Sequence, residues 1–190
     1  VQTIVFGTSA TSVGLADDLR NGIVDRFRSL PITRSAVLTG RIVADAFRLF
    51  LVAVVLVLVG FLVGFRFKGG IPLGLLMIAL AVFFGFSMSW ILANIGLRVR
   101  DPETAQTAGF IWLFPLTFVS SVFVPVNSMP DWLQRVARNN PVTLVANLLR
   151  SLSLGQTLPG STWWSQSLPV ALWCFGIVGV FAPLAVLRYR

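Results

Sequence analysis

The 190-residue chain contains no histidine, one lysine and one cysteine, and each shortage removes a class of function. Without histidine the commonest proton shuttle and metal ligand is missing, which argues against an intramembrane metalloenzyme or protease. Cys174 is alone, so no internal disulfide forms and packing is its default role. The one lysine, Lys68, follows Phe67 rather than glycine, so the chain has no phosphate-binding loop ending in Gly-Lys-Ser/Thr. Charge is scarce throughout, at 12% of residues against about 25% in soluble domains. No Asp, Glu, Lys or Arg falls in the central part of any long apolar run. Ion-coupled carriers and pumps place ionisable groups there, because a charge crossing a membrane needs a partner or a protonatable carrier. The chain therefore has no visible energy source of its own, and uphill movement of a solute requires a partner that supplies the work.

The apolar residues fall in long runs. The chain is 56% hydrophobic with mean hydropathy +0.84, and a helix crossing a hydrocarbon core roughly 30 Å thick needs about 20 such residues. Residues 49–65 form one run, extended by Ala46 and Phe47. Residues 71–97 and 168–187 form two more. Residues 104–130 are uncharged, and only the part up to about Val124 need be embedded. Residues 1–16 are apolar but short, and are read as the tail of a span that begins upstream. Barrel strands are short and alternating, and these runs are neither. The expectation over 1–190 is an all-α polytopic membrane protein with five visible transmembrane helices out of six, the first truncated, and both ends in the cytoplasm.

Charge orients the spans. Arg20, Arg26, Arg28, Arg34, Arg41 and Arg48 crowd the polar segment 17–48, together with Asp17, Asp18, Asp25 and Asp45. Placing that segment in the cytoplasm puts Arg98, Arg100, Arg188 and Arg190 there too, so ten of the fifteen basic residues lie inside. The opposite orientation reverses the ratio and breaks the positive-inside rule. Membrane-flanking arginines thus account for the net charge of +8, and no nucleic-acid partner is needed to explain it.

Within the cytoplasmic segment, Asp17 and Asp18 read as the start of a helix, where carboxylates cap free N–H groups and suit the positive end of the dipole. Leu19, Ile23, Phe27 and Leu30 recur at helical spacing as one apolar stripe. Pro31 ends that helix, and Thr33 or Ser35 can cap the next, which runs directly into the span. On this second helix Arg41, Asp45 and Arg48 are spaced four and three apart, so Asp45 can pair with either arginine at the membrane boundary. Two readings of the first helix stand side by side: an amphipathic helix lying on anionic lipid, or a coupling helix inserted into a groove of a cytoplasmic subunit.

The second polar segment, 126–167, lies outside on this topology. A helix from Pro130 to Arg138 carries Trp132, Leu133 and Val136 on one face. Asn139, Asn140 and Pro141 break it, and a further stripe at Leu144, Leu148 and Leu152 ends at Gly155. Neither helix is long enough to cross, which suits a re-entrant or interfacial pair, with Trp163 and Trp164 in the aromatic belt. Smaller signals are Gly60 and Gly64, spaced for close helix approach. Pro115 and Pro183 lie within spans as kinks, and Asn94 suits an interhelical hydrogen bond. Phe83, Phe84, Phe86, Trp90, Trp112 and Phe118 suit either an amphipathic route or plain packing.

Two stretches carry a resemblance. One is DDLRNGIVDRFRSLPITRSAVLTGR in the cytoplasmic segment. The other is FVPVNSMPDWLQRVARNNPVTLVANLLRSLSLG, with its Met-Pro-Asp-Trp-Leu and Asn-Pro elements and Leu-Arg end. In this order and separation they resemble the permease subunit of type-2 ABC exporters, in particular the daunorubicin-resistance class, over essentially the whole chain. The resemblance implies an ATPase-docking segment over 17–34, with Leu19, Ile23, Phe27, Arg28 and Leu30 as docking residues. It implies an external lid over 126–167 that includes Pro130, Trp132, Leu133, Pro141 and Arg150. It further implies a cytoplasmic ABC ATPase partner that binds ATP and Mg, with no cofactor on this chain. A second permease copy, contact with membrane lipid and a location in the cell membrane, the bacterial inner membrane in particular, follow in the same way. The cargo on this reading is a drug, antibiotic or lipid. The alternatives are a polysaccharide or glycolipid exporter of the same superfamily, and a non-transporting scaffold that recruits a cytoplasmic enzyme.

Overall fold

A bilayer offers the backbone no hydrogen-bond partners, so every N–H and C=O within it must pair inside the protein. The computed structural model describes residues 1–22, 34–99 and 101–189, and the regular structure among these is entirely helical. The helices are α1 (Gln2–Gly7), α2 (Ser9–Arg20), α3 (Arg34–Leu62), α4 (Gly70–Gly96), α5 (Pro102–Phe118), α6 (Asp131–Asn139), α7 (Pro141–Leu154) and α8 (Trp163–Tyr189), with a 3-10 turn at Val126–Ser128. The run Val-Ala-Val-Val-Leu-Val-Leu-Val at 52–59 has the β-branched content of a strand, yet it lies in mid-α3. Leu38–Leu62, Gly70–Gly96 and Trp163–Arg188 are long and apolar enough to cross a bilayer.

Helix α4 is the centre of the bundle and packs against α1, α2, α3, α5, α7 and α8. Its buried side chains Phe84, Met88 and Leu92 join Ile4, Val5, Leu49, Leu113, Val145, Leu148 and Cys174 in one core. Lipid supplies no hydrophobic drive between helices, so close backbone approach matters more. At Gly96 a methyl group would come within 2.5 Å of the Ser12 carbonyl oxygen, so glycine lets α2 lie directly on α4. In contrast, α3 leaves Val43, Phe47, Val55, Leu58 and Leu62 exposed along one side, a surface compatible with lipid.

Several elements differ from the sequence expectation. The helix expected to start at Asp17 begins at Ser9 instead, and both aspartates sit near its end. Propensity alone does not favour Ser9–Arg20, where Ser, Thr, Val and Asp outnumber the strong helix formers and Gly14 costs about 1 kcal/mol; burial of Thr11, Ser12, Leu15 and Ala16 against the bundle favours the helix instead. The stop comes at Asn21 and Gly22, the glycine with φ of 67°. Of the proposed docking residues only Leu19 falls on α2; Ile23, Phe27, Arg28 and Leu30, with Pro31, lie outside the described residues.

The third apolar run was expected to continue to Val124, but α5 ends at Phe118. Thr117 and Ser120 follow Pro115, and hydroxyls offer the backbone an alternative to the helical ladder. The Ser120 hydroxyl donates to the Thr117 carbonyl there.

Among the described residues of this chain, Gly60 and Gly64 meet no other helix. Gly64, with φ of 99°, is the left-handed cap of α3. The Phe65 N–H donates to the Gly60 carbonyl (2.8 Å) and the Gly64 N–H to Phe61 (3.1 Å), the pairing of a Schellman cap.

Helix α6 is amphipathic, with Ala137 buried and Trp132 and Val136 exposed. Helix α7 is not a surface helix: Val142, Val145, Leu148, Leu149 and Leu152 belong to the main core. It reaches the α3–α4 connection, where the Lys68 N–H donates to the Ser153 carbonyl (3.0 Å). A Cβ on Gly155 would stand 2.6 Å from the Gly69 Cα.

Candidate functional site

Segment 17–34 begins on α2 and ends at the start of α3, and polar side chains tie these two helices together. Asp18 of α2 pairs with Arg41 of α3. One turn further along α3, Asp45 Oδ2 accepts a hydrogen bond from Thr11 Oγ1 (2.7 Å). Its other oxygen lies 3.7 Å from Arg48 Nη2, and the Asp45 side chain is 15% exposed. Arg48 also donates to the Gly7 carbonyl (3.0 Å), at the break between α1 and α2. Sequence spacing allowed Asp45 either arginine; the fold gives it Arg48 and Thr11, and assigns Arg41 to Asp18.

A third tie runs to α5. Arg20 lies 3.9 Å from Asp101, and Asp101 caps α5 by accepting from the Thr104 N–H (2.9 Å) and hydroxyl (2.8 Å). These bonds from Thr104 hold the Asp101 carboxyl below the ordinary carboxylate range, Arg20 adding to them and desolvation opposing. The cap is thus fully formed above the ordinary range and is lost as pH falls through the lowered value. Asp45 is the least exposed anchor, so Asp45→Ala is expected to cost about 2 kcal/mol, the scale of a hydrogen bond to a charged group. Asp45→Glu should be milder. Protein yield and melting temperature of the purified variants check this; an unchanged melting temperature in Asp45→Ala overturns it.

A second polar cluster closes the end of α5. Asn140, Thr143, Asn147 and Arg150 are spaced three, four and three apart, on one face of α7. Asn140 Nδ2 donates to the carbonyls of Leu116 (2.7 Å) and Val119 (2.7 Å), while its Oδ1 accepts from the Val142 N–H (2.9 Å). Thr143 Oγ1 accepts from the Ser121 N–H (3.1 Å). Arg150 Nη2 donates to the Ser121 carbonyl (2.7 Å), and Asn147 Oδ1 accepts from the Ser121 hydroxyl (3.1 Å) and from Arg150 Nη1 (3.2 Å). Backbone groups released where α5 stops are satisfied by side chains of α7, as buried backbone polar groups require. Of the expected lid residues, Pro141 and Arg150 are therefore built into the bundle through α7, whereas Pro130, Trp132 and Leu133 belong to the amphipathic stretch before it.

Asn94 bridges helices. Its Nδ2 donates to Trp90 within α4 (2.8 Å) and to the Phe181 carbonyl of α8 (2.9 Å), and its Oδ1 accepts from Arg188 Nη1 (2.8 Å). Among the aromatics, Phe84 and Trp90 are core packing, while Trp112 and Phe118 are exposed.

Sequence reading passed over Thr11, the two helix caps and Ser121. Asp101-Pro102-Glu103 and Asn140-Pro141 both carry the signature of an N-cap followed by proline at the first helical position, and the polar stripe of α7 was visible as periodicity. No local signal marked Thr11, because its partner is 34 residues away.

Long apolar helices packed around a central one define a polytopic helical membrane protein. The sequence model of the ABC-2 type transporter family matches residues 1–154, and the chain belongs to that family. It is 38% identical over 192 residues to a daunorubicin resistance ABC transporter permease of Streptomyces coeruleorubidus, covering 100% of this chain and 65% of that protein. Identity is 26% over 186 residues with a probable doxorubicin resistance ABC transporter permease of Mycobacterium tuberculosis, covering 98% of this chain and 65% of the relative. An inner membrane transport permease of Escherichia coli is 26% identical over 183 residues, covering 95% and 46% respectively. The chain thus spans at most about 65% of the length of these relatives.

Proposed function

We propose that this chain is the membrane-spanning permease subunit of an ATP-driven exporter for a hydrophobic or amphipathic drug, antibiotic or lipid, acting in the bacterial inner membrane. The observation that carries this reading is the alignment of the whole chain with a permease named for daunorubicin resistance. The lack of ionisable groups in the middle of the apolar runs supports a cargo that is not strongly hydrophilic. ATP and Mg reside on a cytoplasmic ABC ATPase, and two permease copies form the path. The spans on this reading are α1–α2, α3, α4, α5 and α8.

On this reading Leu19, Ile23, Phe27, Arg28 and Leu30 dock the ATPase. The Asp18–Arg41 pair and the Thr11–Asp45 hydrogen bond carry its motion into α2 and α3 together, because they tie the two helices bordering the docking segment to each other. Segment 126–167 is the external lid, with α6 at the interface and α7 inserted beneath it.

The function is tested in inverted membrane vesicles containing the full-length permease and its ATPase. ATP-dependent accumulation of doxorubicin is expected, and abolished when the ATPase is inactivated by mutation. No ATP-dependent accumulation of this or any other amphipathic cargo would refute the exporter reading. The topology is tested separately, in a Cys174→Ser background with single cysteines at Asn127, Gln156 and Ser161. All three should react with an impermeant thiol reagent added to intact cells. Labelling that appears only after permeabilisation overturns the lid.

A further inference from the structure

Near the C-terminal ends of α4 and α8, residues of these helices and Trp112 of α5 line a cleft of ≈ 170 Å³. Its polar lining consists of Asn94, Arg98 and Arg188, and its walls include Trp112, Phe181 and Leu184, with no carboxylate among the lining residues. Asn94 is 4% exposed and holds Arg188 in place, its Oδ1 accepting from Arg188 Nη1 at 2.8 Å. Arg98 follows α4 directly and is exposed. The cleft thus combines two guanidinium groups, one of them oriented by a buried amide, with an apolar trough that continues toward the exposed Trp112. By the positive-inside count, both arginines lie at the cytoplasmic face.

We propose that this cleft is a binding site for an anionic phospholipid of the cytoplasmic leaflet. The headgroup phosphate sits between Arg98 and Arg188, and an acyl chain lies along Trp112, Phe181 and Leu184. Charge complementarity selects this occupant. Two guanidinium groups at a membrane surface without an acid in the same cleft favour a phosphate, and bidentate hydrogen bonding suits arginine to it. The apolar continuation favours a lipid over a free anion. A hydrophobic face of a second protein would leave both guanidinium groups facing it unpaired, which is costly when desolvated. The site does not depend on the exporter reading.

The test is a lipid titration of the full-length permease in detergent, read by native mass spectrometry, with phosphatidylglycerol against phosphatidylcholine. Each basic residue near a membrane surface contributes about 1 kcal/mol toward an anionic lipid. Arg98→Gln should therefore weaken phosphatidylglycerol binding roughly five-fold, and the Arg98→Gln/Arg188→Gln double variant roughly thirty-fold, down to the level of phosphatidylcholine. Glutamine at 188 retains an amide donor for Asn94, and the Arg98 side chain makes no hydrogen bond among the described residues, so the single variant keeps the test valid if the double variant misfolds. The control Arg135→Gln/Arg138→Gln should leave binding unchanged. Equal affinity for the two lipids in the wild type, or unchanged phosphatidylglycerol affinity in Arg98→Gln, overturns the proposal. Complete displacement of the lipid by millimolar inorganic phosphate also overturns it, because the site then reads an anion rather than a lipid.

Discussion

Asn140→Ala is expected to lower the melting temperature of the purified permease by roughly 6–12 °C. The loss has two sources. Asn140 is the N-cap of α7, and replacing such a cap with alanine costs about 1 kcal/mol. It also donates to the Leu116 and Val119 carbonyls, the last acceptors before α5 stops. Leaving a buried acceptor unpaired costs about 1–3 kcal/mol each. The lower end of that sum, about 3 kcal/mol, corresponds to that temperature range at about 2–4 °C per kcal/mol for a chain of this size. Asn140→Asp separates the two sources, since aspartate is as good a cap as asparagine but has no N–H to give. If capping alone mattered, aspartate would be nearly neutral. The double role requires aspartate to be at least as damaging as alanine, because its carboxylate faces two carbonyl oxygens. A wild-type melting temperature for Asn140→Asp would refute the assignment.

The Phe27→Asp/Leu30→Asp double variant is expected to abolish co-purification of the ATPase while membrane insertion stays normal. Both residues are apolar and belong to the proposed docking segment 17–34. Removing a central apolar anchor from an interface costs about 2 kcal/mol or more. Two such losses weaken binding roughly a thousand-fold, before counting the carboxylates introduced. Membrane fractionation and affinity capture of a tagged permease measure both parts. Retention of the ATPase together with export would remove segment 17–34 from the docking role. A variant that fails to insert is replaced by Phe27→Ala, which keeps the segment uncharged and should still weaken capture.

Much of this architecture was legible in the sequence because lipid narrows the choices: long uncharged runs must be helices, so 71–97 reads almost directly as α4. The ends of elements were less legible. The 17–48 segment showed its charges but not their partners. Asp45 was paired along its own helix by spacing, whereas its hydrogen bond comes from Thr11 on another helix. The early stop of α5 was hidden because hydropathy does not distinguish an apolar helix from an apolar turn. What decides the stop is Asn140, 21 residues beyond the Val119 carbonyl it satisfies. Gly60 and Gly64 misled for a related reason: identical spacing serves a helix interface or a cap, and only the backbone φ of 99° at Gly64 decides between them.

The contact between Gly69 and Gly155 has a genetic consequence. At Gly7, an added methyl group would meet the end of the Leu49 side chain at 2.8 Å, and a smaller residue at 49 could restore the space. Gly155 offers no such remedy. Its opposing atoms are the Gly69 Cα and N, at 2.6 and 3.0 Å from an added Cβ, and glycine cannot be made smaller. Its φ of 68° is also unfavourable for other residues. A suppressor of Gly155→Ala therefore has no side chain to trim at the point of collision; relief must come from altering the length or path of the α3–α4 connection. Selection for second-site revertants should return insertions or deletions around 63–69 and none at a neighbouring packing position.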